Sequence, residues 1–290
     1  MPPQGIPHWL ARFDWVVGFE YGWADSDTYP RSVFCEPAYL PAFLSYLERR
    51  WPTPPDSRSL LASGAGPDYL LSWHRRRVIK GLAHYFPAIY YEAKDIDLPE
   101  VHVMPIGFTE HYIRSNGPEV LQLARSLQRQ AGSPDQTPSV LAAWGAWWPG
   151  LDGLIPDRAK ARQFAESSPL VVHEQMTSTS WFEALCRFDF MLCPLGNGVQ
   201  APKMVEALLM GCIPIVTRHP TFVELQQRGM PMLIVEEWTD LTEGVLLEVY
   251  LKLFSETGEF RKHLLDLDKW WSFSFPGPPR TDVPPHSRLP

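Results

Sequence analysis

DFMLCPLGNGVQAPKMVEALLMGCIPIV, residues 189–216, decides how the chain is read. Asp189 to Leu195 is an apolar run of strand length, and Cys212 to Arg218 is another. Between them the chain turns at Gly196 and Gly198, where backbone can approach a ligand closely. Pro202 suits the first position of the helix expected over 202–211, where its missing N–H is not needed. Strand, glycine-bearing turn, helix and strand make one unit of a parallel α/β sheet.

One end of that unit carries chemistry. The helix start offers unbonded N–H groups and the positive end of a dipole, which together suit a phosphate. Lys203 in the opening turn adds a full positive charge, and Glu206 stands three residues on, along the same face. An acid one turn in is too deep for phosphates but placed to accept both hydroxyls of a ribose, so the pattern fits a nucleoside diphosphate. The plain structural alternative is an ordinary crossover with glycine in its loop and a Lys and Glu on a wet helix. GNGVQA also matches the G-x-G-x-x-A dinucleotide fingerprint, which keeps an NADP-dependent oxidoreductase as a rival. Against that rival, Arg218 replaces the acid expected at the end of the next strand, and Pro202-Lys203 interrupts the apolar helix start.

The same rhythm extends through the second half. Strands are expected at 138–144, 169–174 and 232–238, and helices at 157–166, 178–188 and 221–229, with two more amphipathic helices beyond 242. The first half is less regular: strands at 14–19, 59–63 and 87–93, a helix over 39–50 and a basic-faced helix over 72–85. The polar stretch 128–137 reads as the linker. This gives an α/β domain over 1–130 for the acceptor, a nucleotide-sugar domain over 131–275, and a loose Pro-rich tail over 276–290.

Phe190 to Val216 resembles the nucleotide-binding half of exostosin-like glycosyltransferases. There a strand ending in Pro-x-Gly is followed by a basic residue, then Glu-Ala-Leu, then a Gly-Cys-x-Pro-Val strand. Here those elements are Pro194-Leu195-Gly196, Lys203, Glu206-Ala207-Leu208 and Gly211-Cys212-Ile213-Pro214-Ile215. The family usually has Arg near Lys203; the cation is kept. A weaker extension takes in VLAAWGAW followed by Arg158 and Arg162, and the Pro-Ile-Gly at 105–107. The resemblance implies a GT-B fold, two Rossmann-like doubly wound domains facing an interdomain cleft. It further implies an inverting, metal-independent transfer from a UDP-sugar to a glycan hydroxyl, with no cofactor. Small soluble algal and viral members look similar in size, and some handle xylose. Glu206 would then bind ribose and Lys203 the diphosphate, with Gly196, Asn197 and Gly198 forming the donor loop.

Arg158 and Arg162 lie four apart on one expected helix, where guanidinium forks could clamp a diphosphate; Arg158, nearer the helix start, is favoured. Gly145 is a candidate backbone contact to the sugar phosphate. The attacking hydroxyl needs a base from the first domain. Asp68 leads, because SGAGPDY follows a strand; Asp25, Asp27, Glu92 and Asp95 stand in reserve. Trp23, Trp147 and Trp148 are candidates to line sugar subsites, although most of the 12 tryptophans are expected in the core.

Three D-x-D pairs (Asp25/Asp27, Asp95/Asp97, Asp266/Asp268) follow no strong strand and are read as chance. Cys35, Cys186, Cys193 and Cys212 show no zinc spacing and are expected to be reduced core residues. The net charge of −7 argues against nucleic acid as a partner. No apolar run reaches bilayer length and no secretory signal is visible, so a soluble, cytoplasmic protein is expected, with a non-catalytic carbohydrate-binding protein as a further alternative.

Overall fold

The computed structural model describes residues 10–18, 28–54, 59–64, 69–107, 110–132, 136–143, 156–174, 176, 178–195 and 199–276. Within them, two five-stranded parallel sheets with their helices form a two-unit α/β arrangement.

In the first sheet, β1 (Trp15–Val17), β2 (Ser32–Cys35), β3 (Leu60–Ser63), β4 (Ala88–Tyr91) and β5 (Val101–Val103) lie in chain order. Right-handed crossovers between parallel strands in that order place every connecting helix on one face. Helices α1 (Leu40–Arg50) and α2 (Arg76–Tyr85) occupy it, burying Phe43, Leu47, Ile79 and Leu82 against Val33, Leu61, Ile89 and Tyr91. The other face, with Phe34, Ala62 and Tyr90, would stay bare if only its own connections served it. It is covered by the turn Leu10–Arg12 and by the distant helix α9 (Leu267–Ser274), through Leu10, Phe13, Trp271 and Phe275. Phe275 stands edge-on to Tyr90 at 5.2 Å between centroids, and the Tyr90 hydroxyl donates to the Pro276 carbonyl at 3.0 Å. Each large side chain buried this way contributes about 1.5–3 kcal/mol, which is what draws the C-terminal helix back across the molecule.

The second sheet comprises β6 (Val140–Ala142), β7 (Val171–His173), β8 (Phe190–Leu192), β9 (Ile213–Thr217) and β10 (Leu233–Val235), in the spatial order β7-β6-β8-β9-β10. The winding reverses between β6 and β8. On one face α4 (Pro156–Ser167) packs through Ala161 and Ala165. On the other lie α5 (Ser178–Leu185), α6 (Pro202–Leu209) and α7 (Pro220–Gln227), through Trp181, Phe182, Leu208 and Phe222. The long α8 (Glu243–Leu264) serves both faces, with Leu246 and Tyr250 on the first and Phe260 and Leu264 on the second.

Two elements have no counterpart among the sequence expectations. β2 is four residues buried on both sides, too short to show a period. Helix α3 (Glu110–Ser126) runs through Asn116-Gly117-Pro118, which reads as a turn, yet its Val120 and Ala124 are buried in the core of the second sheet. The stretch expected as a linker is pinned. Arg129 donates to the Phe188 and Gly211 carbonyls at 2.7 Å each, and the Gly132 N–H donates to the Tyr250 hydroxyl at 3.1 Å. Gly211 follows α6 at φ +73°, a left-handed position that favours glycine.

A polar clasp joins the two units. The buried Gln200 amide donates to the Glu92 carbonyl at 2.7 Å and the Met104 carbonyl at 2.8 Å, and its oxygen accepts from the Ile106 N–H at 2.9 Å. Beside it, Glu224 of α7 accepts from Lys94 Nζ at 2.8 Å and from the Val103 N–H at 2.6 Å, while Arg228 donates to the Val103 carbonyl. Thr221 donates to the Lys94 carbonyl. Replacing Gln200 by Ala orphans one buried and two partly buried backbone groups, a loss of about 2 kcal/mol. Thermal unfolding of Gln200→Ala is expected to begin several degrees below wild type, and an unchanged midpoint would remove the clasp from the stability of the fold.

Candidate functional site

In an open α/β sheet the ligand crevice lies beyond the carboxyl ends of the two strands that flank the reversal of winding. Here those strands are β6 and β8. β6 runs out at Ala142 and Ala143, and α6 begins ten residues after the end of β8, so its first turn returns to the same spot. Lys203 Nζ donates to the Ala143 carbonyl at 2.9 Å and lies 4.4 Å from the centre of the Trp181 ring. Among the described residues no carboxylate stands at ion-pair distance from it. Burial pulls its pKa down from 10.5 to about 8, against the upward pull of nearby Glu206, and Arg158 lowers it further. The crevice therefore holds a partly dehydrated ammonium whose described partners are a carbonyl, an aromatic face and, farther off, the Glu206 carboxylate.

Glu206 lies one turn deeper. Its side chain is fully enclosed, and Oε2 accepts from the Trp181 indole N–H at 2.8 Å. The open ribose acceptor expected from sequence is thus closed off in this arrangement, where Glu206 fixes the ring on which Lys203 rests. The two arginines separate. Arg158 is half-buried, its guanidinium pKa lowered by burial, and close enough to act on Lys203. Arg162 instead donates to Glu166 at 2.8 Å on the outer face of α4, with about half of each side chain in water. The structure brings Arg158, Lys203 and Glu206 together and leaves Arg162 out.

Sequence reasoning passed over the residues that build this corner. Asp157 accepts from the Leu195 N–H at 2.9 Å, from Thr217 Oγ1 at 3.1 Å and from Trp238 Nε1 at 2.8 Å. It ties the start of α4, next to Arg158, to the ends of β8 and β9. The available signal was an acid in the first turn of a helix after Pro156. Trp181 gave no signal beyond being a tryptophan in an amphipathic helix.

Across the clasp, Glu92 follows the carboxyl end of β4 and is mostly buried. Its carboxylate lies over Gly64, where an added Cβ would come within 2.6 Å of Oε2. Burial raises its pKa from 4.5 to about 7. Asp68, Asp25, Asp27, Gly145, Gly196, Asn197, Gly198, Trp23, Trp147 and Trp148 lie outside the described residues.

Other candidates find structural roles. Asp95 holds Ser72, Asp97 stands 3.6 Å from Lys94, Asp266 caps α9 and Asp268 pairs with Arg12. Arg218, the residue that an NADP reading would use, is engaged by Glu236. All four cysteines are free, and burial pushes the thiols of Cys35, Cys193 and Cys212 up. No group of three His, Cys, Asp or Glu that could hold a metal occurs among the described residues. Nor, among them, is any helix long and apolar enough to cross a membrane. A cavity of about 670 Å³ between Gly229–Met232 and α8 lies at the opposite, amino end of β10 and shares no residue with this cluster.

No family model matches the chain. It is 24% identical over 155 residues, half of this chain and 30% of the other, to an Arabidopsis thaliana protein named "Probable glycosyltransferase". It is 36% identical over 59 residues, 20% of this chain and 14% of the other, to an Arabidopsis thaliana protein named "Probable beta-1,4-xylosyltransferase". The chain thus spans less than a third of the length of these relatives. Among solved structures it is similar to the trehalose-6-phosphate phosphatase N-terminal domain of Candida albicans (11% identity, 84% of this chain and 71% of that one, TM-score 0.41). It is also similar to the spinosyn rhamnosyltransferase SpnG complexed with thymidine diphosphate (12% identity, 79% and 70%, TM-score 0.38).

Proposed function

We propose that the chain is an exostosin-like glycosyltransferase that moves a sugar from a UDP-sugar to a glycan hydroxyl, with inversion and without a metal ion. The observation that carries this reading is the dehydrated Lys203 ammonium, without a carboxylate partner among the described residues, at the switch point of the second sheet. The helix start, Lys203 and Arg158 present converging positive charge to a pyrophosphate, the work a divalent ion does in other transferases. A ribose reaching Glu206 would exchange the Trp181 N–H on Oε2 for its own hydroxyls. Xylose is the sugar favoured by the names of two relatives.

In the transfer, the acceptor oxygen attacks the anomeric carbon from the face opposite the diphosphate as a base takes its proton. The bond from that carbon to the phosphate oxygen breaks, and UDP leaves with its new charge against Lys203 and Arg158. Glu92 is the described acid best suited to be that base: it stands at a strand end of the first unit, and the clasp ties its own carbonyl to Gln200, three residues before Lys203. Asp68, whose loop begins just after Gly64, is the other candidate.

UDP at a hundred times its dissociation constant should stabilise the protein by about 2.7 kcal/mol. Lys203→Ala is expected to abolish that thermal shift and the transfer, with the fold retained; a full UDP shift in this variant would discard the site. EDTA should leave transfer unchanged.

The pH profile tests the base. Glu92 acts ionised, so the rate should rise as pH passes about 7, while donor binding should fall as Lys203 loses its proton above about 8. The expected result is a narrow maximum between those values. Glu92→Gln should flatten the acidic limb and lower kcat by 10²-fold or more at unchanged UDP affinity. If Asp68→Asn does this and Glu92→Gln does not, the base is Asp68.

A further inference from the structure

We propose that His219 binds the transferred sugar of the donor, its ring Nε2–H donating to a sugar hydroxyl. This assignment deepens the transferase reading above and rests on it. In that reading the anomeric carbon lies between the diphosphate corner, at Arg158 and Lys203, and the acceptor base on the first unit. Two described segments of the second unit span those sides. One is Gln200, whose side-chain amide is already taken up by backbone groups of the first unit. The other is the turn from β9 into α7. Its Thr217 Oγ1 donates at 3.1 Å to Asp157, the neighbour of Arg158. Its Thr221 hydroxyl donates to the carbonyl of Lys94, two residues past Glu92. His219 stands midway along the chain between these two anchors.

The ring is held in place with one nitrogen to spare. His219 caps α7, its Nδ1 accepting from the Thr221 N–H at 3.2 Å, and it stands edge-on to Phe222 at 6.0 Å between centroids. A ring nitrogen that accepts carries no proton, so the neutral imidazole keeps its proton on Nε2. Burial lowers its pKa below the usual 6.5, against the upward pull of Asp95 on the first unit and Asp157 on the second, so the ring is neutral at pH 7. Both acids are engaged elsewhere, Asp95 by Ser72 and Asp157 by Leu195, Thr217 and Trp238. Nε2 has no partner among the described residues, nor is it one of their enclosed polar atoms that lack one, so it opens to solvent. The adjacent Arg218 is exposed and paired with Glu236. Two carboxylates within reach disfavour an anion at Nε2, which leaves the diphosphate to Lys203 and Arg158. A neutral N–H donor, half out of water, suits an uncharged hydroxyl.

The test titrates the full chain calorimetrically with UDP, UDP-xylose, UDP-glucose, UDP-galactose and UDP-N-acetylglucosamine, and carries forward the donor that binds tightest. His219→Asn keeps a side-chain oxygen for the cap but is too short to reach where Nε2 does; His219→Ala loses both. Both variants should raise the Kd of that donor about fivefold to tenfold while the Kd of UDP stays unchanged, and only His219→Ala should lower the unfolding midpoint. Among deoxy analogues of the donor, one should bind wild type as weakly as the parent binds His219→Asn, and lose nothing further in that variant. Imidazole nitrogen NMR of the wild type should show the Nε2–H tautomer at His219, with its Nε2 resonance moved by the donor and not by UDP. An unchanged donor Kd in His219→Asn, an Nδ1–H tautomer, or an equal loss of UDP and donor affinity would each overturn the proposal. Any of these with UDP still binding the wild type refutes His219 alone; a wild type that ignores UDP removes the donor site, and His219 with it.

Discussion

A lysine ammonium drawn out of water with no described carboxylate at ion-pair distance is the constraint around which the second unit is organised. A buried charge is costly unless its surroundings compensate, and the usual response is to lower the pKa or to pair it. Here the compensation is partial: one carbonyl at the end of β6, one indole face, and a more distant Glu206. Each participant has a fixed support. Glu206 holds the indole, and Asp157 holds the start of α4, where half-buried Arg158 is close enough to act on Lys203. The arrangement leaves room in the electrostatics for an anion, and the reversal of strand order supplies the place for one.

The clasp makes this corner a property of both units. Gln200 is three residues before Lys203, and its single amide satisfies three backbone groups of the first unit. Any shift of the first turn of α6 is therefore felt at Glu92 and Met104. The same segment, just past β4, also fastens the turn Leu71–Trp73 through Ala93 and Asp95. The segment just before α6 and the chain just past β4 are thus joined by hydrogen bonds across a boundary that the chain crosses at α3 and again at α9.

The second sheet was legible because its strands are apolar runs bounded by turn residues, and because local rules place Pro202 at a helix start and Lys203 in its first turn. The first unit was legible only in part. β2 is too short for a period to show, and α3 carries an Asn-Gly-Pro sequence whose local preference is overruled by the burial of Val120 and Ala124. The arginine pair shows the limit of spacing arguments. Four residues apart puts two side chains on one helix face, but Glu166 draws Arg162 to the exposed side while Arg158 is half-buried near Lys203.

From sequence alone came the alternation of parallel α/β units and the types of residue at the start of α6, since these follow from interactions within a few residues. The tertiary structure alone decided that winding reverses between β6 and β8, that Glu206 is enclosed beneath Trp181, and that the Glu92 carboxylate is buried over Gly64 with a raised pKa. It alone brought α9 back over the first sheet. Those outcomes depend on which apolar faces cover one another and how far each charge is taken from water, and both are set by contacts between residues distant in the chain.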